Sequence, residues 1–215
     1  MCKQGTCPVI GQIAVASLLI ITILLATIGV WFRHEFDGGS GGCSFIYRVY
    51  ISHGETEYNC DWLEGTSSTS WEDACEYNDE AAVCGMWRPS QTLHIISLVL
   101  VICALSTASA HACACCCEGT KTNLQCSMGF TISAFVQLLV GFIMFSTVRG
   151  DIEPGLDVEF DFSWGWGLSL LSLLLLIANI VLSCISTAQD VPKQEAVVAP
   201  IVATAVVVGM PVEGN

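Results

Sequence analysis

The sequence predicts an all-α membrane four-helix bundle capped by a small extracellular antiparallel β-sheet formed by both outer loops. Four long stretches carry no Asp, Glu, Lys or Arg. The segments that follow the first and third of them hold most of the acidic residues. Inside those segments, apolar and polar residues alternate with the period of a strand.

The uncharged stretches are residues 9–32, 92–115, 128–148 and 164–186. The chain is 53% hydrophobic and 13% charged, with a mean hydropathy of +0.64. A water-soluble exterior needs more charge than that. About 20 apolar residues cross ~30 Å of hydrocarbon as a helix, and in lipid every backbone N–H and C=O must be satisfied inside the element. A cleaved signal peptide is the alternative for the first stretch. Its apolar run exceeds the roughly 7–15 residues of a signal core and no clear A-x-A site follows, so a retained span is expected.

Four spans place both termini on one side. Lys3, Lys121 and Lys193 against Arg33, Arg48, Arg88 and Arg149 give no positive-inside bias. Cysteine usage orients the chain instead. Cys43, Cys60, Cys75 and Cys84 form an even set in one polar loop, as disulfides in an oxidising compartment do. Cys113, Cys115, Cys116, Cys117 and Cys126 crowd a helix end, as S-acylated cytosolic cysteines do. The expected order is a cytosolic N-terminus (1–8), span (9–32), outer loop with strands and disulfides (33–91), span (92–115), cytosolic loop (116–127), span (128–148), outer loop (149–163), span (164–186) and a cytosolic Ala/Val/Pro-rich tail (187–215). The expected location is the plasma membrane.

Of the 20 acidic residues, all but Glu118, Asp190, Glu195 and Glu213 fall in the outer loops. Such a surface attracts cations and repels nucleic acid. In the first loop, residues 43–52 read as a strand with Phe45, Tyr47, Val49 and Ile51 on one side. His53-Gly54-Glu55 reads as a turn, residues 56–62 as the return strand, and Gly65 to Ser70 as a polar loop. In the second loop Asp157, Glu159 and Asp161 alternate with Val158, Phe160 and Phe162, giving a strand with an acidic face for cations and an apolar face that needs cover. Four cysteines allow three pairings. The short enclosed segment favours Cys75–Cys84, leaving Cys43–Cys60 by elimination.

Inside the spans, polar residues are few: Gln12, His94, His111, Gln137 and Asn179. The two histidines are read as interfacial, and Gln137 and Asn179 as cross-helix hydrogen bonders. No carboxylate or base lies mid-membrane, which counts against an ion-coupled transporter. Small-residue stripes at Thr22, Ala26 and Gly29, at Ala104, Ala108 and Ala112, and at Ser133, Gln137 and Gly141 predict a closely packed left-handed bundle. No Ser/His/Asp set, phosphate loop or metal motif occurs, so neither an enzyme nor a cofactor or metal is expected.

The layout resembles the claudin and peripheral-myelin-protein superfamily of tetraspan proteins. Trp31 ends the first span. Trp71 precedes Cys75, Cys84 follows after eight intervening residues, and Arg88 precedes the second span. The family's Gly-Leu-Trp is replaced by Ser70-Trp71, and Cys43 and Cys60 are additional. The resemblance implies an outer sheet with strands from both loops. It also implies a role in cell adhesion, barrier formation or membrane organisation, or as an auxiliary subunit of an ion channel or receptor. The expected partners are the lipid bilayer, a second copy or another membrane protein, and cations at the outer face, with Trp62, Trp71 and Trp87 packing the outer domain or meeting a partner.

Overall fold

A computed structural model describes residues 6–37, 43–61, 63–77, 82–114, 121–156 and 161–189. In chain order the elements are α1 (Thr6–Ile28), β1 (Val30–Asp37), β2 (Cys43–Tyr50), β3 (His53–Cys60), β4 (Leu63–Ser70), α2 (Trp71–Tyr77), α3 (Ala82–Ala114), α4 (Lys121–Leu156), β5 (Asp161–Phe162) and α5 (Trp164–Gln189). Helices α1, α3, α4 and α5 contain apolar stretches of 21, 30, 27 and 25 residues, each long enough to span a bilayer. The chain is an integral multi-pass membrane protein of four helices with a five-stranded antiparallel sheet at one end.

The four long helices close into a ring in which α1 packs on α3 and α5, and α4 on the same two. The α3–α4 hairpin is clamped by serine hydroxyls that donate to backbone carbonyls across the helix pair. Ser90 reaches Gly141 O at 2.9 Å, Ser97 reaches Ala134 O at 3.0 Å, and Ser127 reaches Ala104 O at 3.0 Å. Both strings of positions step by seven residues, the repeat of left-handed packing. Small side chains at these sites let the backbones approach closely enough for the bonds. The stripes at Thr22 and Ala26 and at Ala104 and Ala108 are buried as expected. Ser133 is exposed, because the inward positions of α4 are Ser127, Thr131, Ala134, Leu138, Gly141 and Phe145, and 133 falls one position off that stripe.

The first helix ends four residues before the uncharged stretch does. Val30, Trp31 and Phe32 are strand, not helix. Gly29 makes the change possible. A Cβ there would stand 2.9 Å from Gly165 Cα and 2.9 Å from Leu25 O, and a Cβ on Gly165 would stand 2.7 Å from Val30 O. The end of α1 and the start of α5 therefore touch backbone to backbone.

The sheet order is β4-β3-β2-β1-β5, so strands from both inter-helix segments share it. β1 and β2 pair Val30 with Tyr50 and then Phe32 with Val49, which leaves Trp31 as a bulged residue. A bulge re-aims its side chain. The Trp31 ring enters the bundle edge-on to Phe145 at 4.9 Å and to His94 at 5.4 Å, and its indole N–H donates to Ala26 O at 2.9 Å. Phe32, Val49, Ile51, Trp71, Trp87 and Val148 complete this core. His94 is fully buried there, with Nδ1 2.8 Å from Ser90 O. Ser70 caps α2 by accepting from the Asp73 N–H at 3.1 Å.

Two more strands depart from the sequence reading. Leu63–Ser70 is a full strand and not a loop, and His53-Gly54-Glu55 opens β3 and is not a turn, the reversal lying at Ile51 and Ser52. A Cβ at Gly29 or Gly165 has only backbone or a packed indole to displace. Gly29→Ala and Gly165→Ala are each expected to destabilise by about 1–3 kcal/mol, lowering the melting temperature of the detergent-solubilised protein by roughly 2–10 °C. Gly167→Ala meets nothing within 4 Å and should melt within about 1 °C of the parent, which a paired thermal-unfolding measurement checks.

Candidate recognition surface

Every second residue of each strand faces the same side, and the register sorts the side chains sharply. One face carries rows running Phe32–Val49–Gly54–Thr69, His34–Tyr47–Thr56–Ser67 and Phe36–Phe45–Tyr58–Gly65. The first row packs on the bundle through Phe32 and Val49, while Thr69 at its far end is exposed. A Cβ at Gly54 would stand 3.2 Å from the Trp71 ring, so this position must be bare for Trp71 to seat. Burial raises the Tyr47 phenol above its ordinary pKa and keeps it neutral. The last row lies beyond the helices, where Phe36 and Phe45 stack at 5.0 Å.

The opposite face carries the charge. Arg48 stands at its centre and bonds Glu55 at 2.7 Å and also Glu57, both on β3. The hydrogen bond to Glu57 foremost, then that to Glu55, holds the guanidinium above its ordinary pKa. Tyr50 is likewise raised, by burial first and then by the Glu55 charge. Arg33 pairs Glu35 at 3.0 Å and lies across from Asp161 in the ladder. Arg33, Glu35, Asp161, Phe162 and Ser163 line a cleft of about 320 Å³. Asp157 and Glu159 lie outside the described residues. Asp161 sits at the end of the sheet beside Arg33, and the described residues hold no group of three or more His, Cys, Asp or Glu placed for a metal.

Both disulfides form, Cys43–Cys60 and Cys75–Cys84. The first joins β2 to β3 at the sheet end far from the helices; the second ties α2 to the start of α3 beside the buried core. Arg88 projects from α3, pairs Glu72 at 2.6 Å and lies 5.2 Å over the Trp87 ring. Trp71 and Trp87 are core residues, Trp71 donating to Tyr50 O at 2.9 Å; Trp62 lies outside the described residues. At the other end of the bundle Cys113 and Cys126 are exposed, and so is Cys184 on α5, a thiol beyond the expected acylation set. Cys115, Cys116 and Cys117 lie outside the described residues.

The edge at β4 is what sequence reasoning missed. Its outer side pairs with nothing among the described residues, and Thr66, Ser67, Ser68 and Thr69 are exposed. A run of Ser, Thr and Gly has no apolar alternation to mark a strand. The unbroken pairing with the well-marked β3 makes it one.

Removing Arg48 leaves two carboxylates facing each other two residues apart on β3. Arg48→Met should lower the melting temperature, and Glu57→Gln on that background should recover part of the loss. A double-mutant cycle on thermal melts should give an Arg48–Glu57 coupling of about 1 kcal/mol, and additive effects would show that the pair contributes nothing. Family models and characterised proteins were both compared with the chain, and neither comparison finds a match.

Proposed function

We propose that this chain is a non-enzymatic claudin-like tetraspan whose sheet faces outward at the plasma membrane and acts in cell adhesion, barrier formation or membrane organisation. The observation that carries the reading is the segregation of sulfur. Both disulfides lie at the sheet end, while Cys113, Cys126 and Cys184 remain as exposed thiols at the opposite end. Disulfides persist on the oxidising side of a membrane and juxtamembrane thiols on the cytosolic side, where they are open to S-acylation. With the sheet outside, both termini are cytosolic. The Trp31, Trp71, Cys75, Cys84 and Arg88 set supports the claudin and peripheral-myelin-protein likeness. Four of its members cluster at the junction of sheet and bundle, as a shared structural signature would.

A second reading, an auxiliary subunit of an ion channel or receptor, is favoured by the long edge of β4, which pairs with nothing on its outer side among the described residues. A free edge is a template for a strand from another chain.

In intact cells, an impermeant thiol reagent applied after mild reduction is expected to label Cys43 and Cys60 and to spare Cys126. The reverse pattern would put the sheet in the cytosol and end this reading. Crosslinking of the same cells then separates the roles: ladders of the chain alone favour adhesion, and a stoichiometric larger partner favours the auxiliary subunit.

A further inference from the structure

We propose that the free edge of β4 is a docking site for an extended strand of a partner protein with basic side chains at alternate positions, added to the sheet as a sixth strand. The inference rests on reading the sheet as a recognition surface.

The two edges of the sheet differ. Among the described residues β5 is two residues long, Asp161–Phe162. β4 is eight residues long and runs in unbroken register with β3 from His53↔Ser70 to Cys60↔Leu63. In an antiparallel ladder every second residue of an edge strand turns its N–H and C=O away from its neighbour. Exposed edges are usually guarded by Lys, Pro, a bulge or shortness. β4 has no Lys, Pro or bulge and is not short; its one charged side chain is Glu64 near one end, and its centre, Thr66 to Thr69, is exposed and uncharged.

The surrounding charge selects the partner. Asp61 and Glu64 flank one end of the edge, and Asp73 and Glu76 flank the other together with Glu72, which Arg88 already pairs, all exposed. One strand inward, Arg48 is shared between Glu55 and Glu57, so that group keeps a net negative charge. The register places Glu55, Glu57 and Glu64 on one face, where alternate side chains of an added strand also fall. Lys or Arg at every second position meets these carboxylates, and small or apolar residues between them lie beside Leu63, Ser67 and Thr69. A second copy of β4 is the poorer occupant. It brings Glu64 and no base, and among the described strands the only Lys or Arg residues are Arg33 and Arg48, both already paired with carboxylates. Joining two such edges sets like charges side by side, which destabilises a pair.

The test uses the purified full chain in detergent and three synthetic octapeptides: alternating Lys-Thr, alternating Glu-Thr, and Lys-Thr with every second amide N-methylated. By fluorescence anisotropy at low salt, the Lys-Thr peptide is expected to bind at least tenfold more tightly than the other two. Its binding should slow amide exchange in residues 63–70. Glu64→Lys should weaken it roughly two- to fivefold, the scale of one exposed ion pair. Thr66→Pro and Ser67→Pro remove successive amides, of which one faces outward. That variant should keep the parent melting temperature and lose the peptide, and if neither variant folds, the N-methylated peptide makes the same test from the other side. Equal binding of the N-methylated or the Glu-Thr peptide, or unchanged exchange in β4, overturns the proposal. So does a peptide-free dimer protected at β4, which would assign the edge to a second copy. None of these outcomes depends on which way the sheet faces, which the thiol labelling decides separately.

Discussion

The attachment of the sheet to the bundle depends on one bulged residue. Trp31 sits where the chain leaves the membrane helix and starts the sheet, and it belongs to both. Its backbone accepts from the Ser163 N–H at 2.8 Å, next to β5, while its ring is gripped by Phe142, Phe145 and His94 from the helices. A helix that stops at the edge of hydrocarbon must satisfy its last carbonyls somehow. Here the indole N–H takes Ala26 O, and β1 finds partners on both sides, in β2 and β5. The backbone contact of Gly29 with Gly165 is the steric condition for this arrangement, because any side chain at either position would push α5 away from the strand it supports.

From that junction outward the sheet has less and less to rest on. Its proximal row packs on the helices, but the distal row is a single layer of backbone with no second layer among the described residues. A small layer cannot bury enough apolar area to hold itself. It is held instead by the Phe36–Phe45–Tyr58 row, by cross-strand pairing and by the Cys43–Cys60 bond at the tip. In the chain-entropy account, closing a loop of this size stabilises by about 3 kcal/mol. The two cysteines additional to the claudin-like pattern thus sit where the sheet is least supported by packing.

The spans were legible because charge exclusion over about 20 residues is a coarse property that needs no geometry. β2 was legible from alternation, with Phe45, Tyr47 and Val49 on one face. The end of α1 was not, because hydropathy weighs Val30, Trp31 and Phe32 equally in a helix or a strand. The signal that was available is the period of two that follows, with Phe32, His34 and Phe36 set against Arg33, Glu35 and Asp37. β4 was hidden for the opposite reason: a strand exposed on both faces has no apolar side to show. His94 reads as a boundary residue by position alone. Its burial follows from a contact distant in sequence, with Gly141 leaving room beside its ring.

The same physics divides the molecule's polar groups by purpose. Inside the bundle, Ser90, Ser97 and Ser127 donate to carbonyls of the neighbouring helix, Asn179 reaches Thr131 at 3.3 Å, and Gln12 reaches Ser183. These neutral groups bond across helices and hold them in register without leaving a charge in lipid, although Gln12 Oε1 and Asn179 Oδ1 are buried with no partner among the described residues. On the sheet, the polar groups face outward and the carboxylates outnumber the bases. The helices are therefore occupied with each other, while the sheet presents backbone and charge that nothing in the described chain uses. Along β4 the outward backbone groups meet no partner among the described residues and the Glu64 carboxylate is exposed beside them, so the basic strand proposed for this edge would satisfy backbone and charge together.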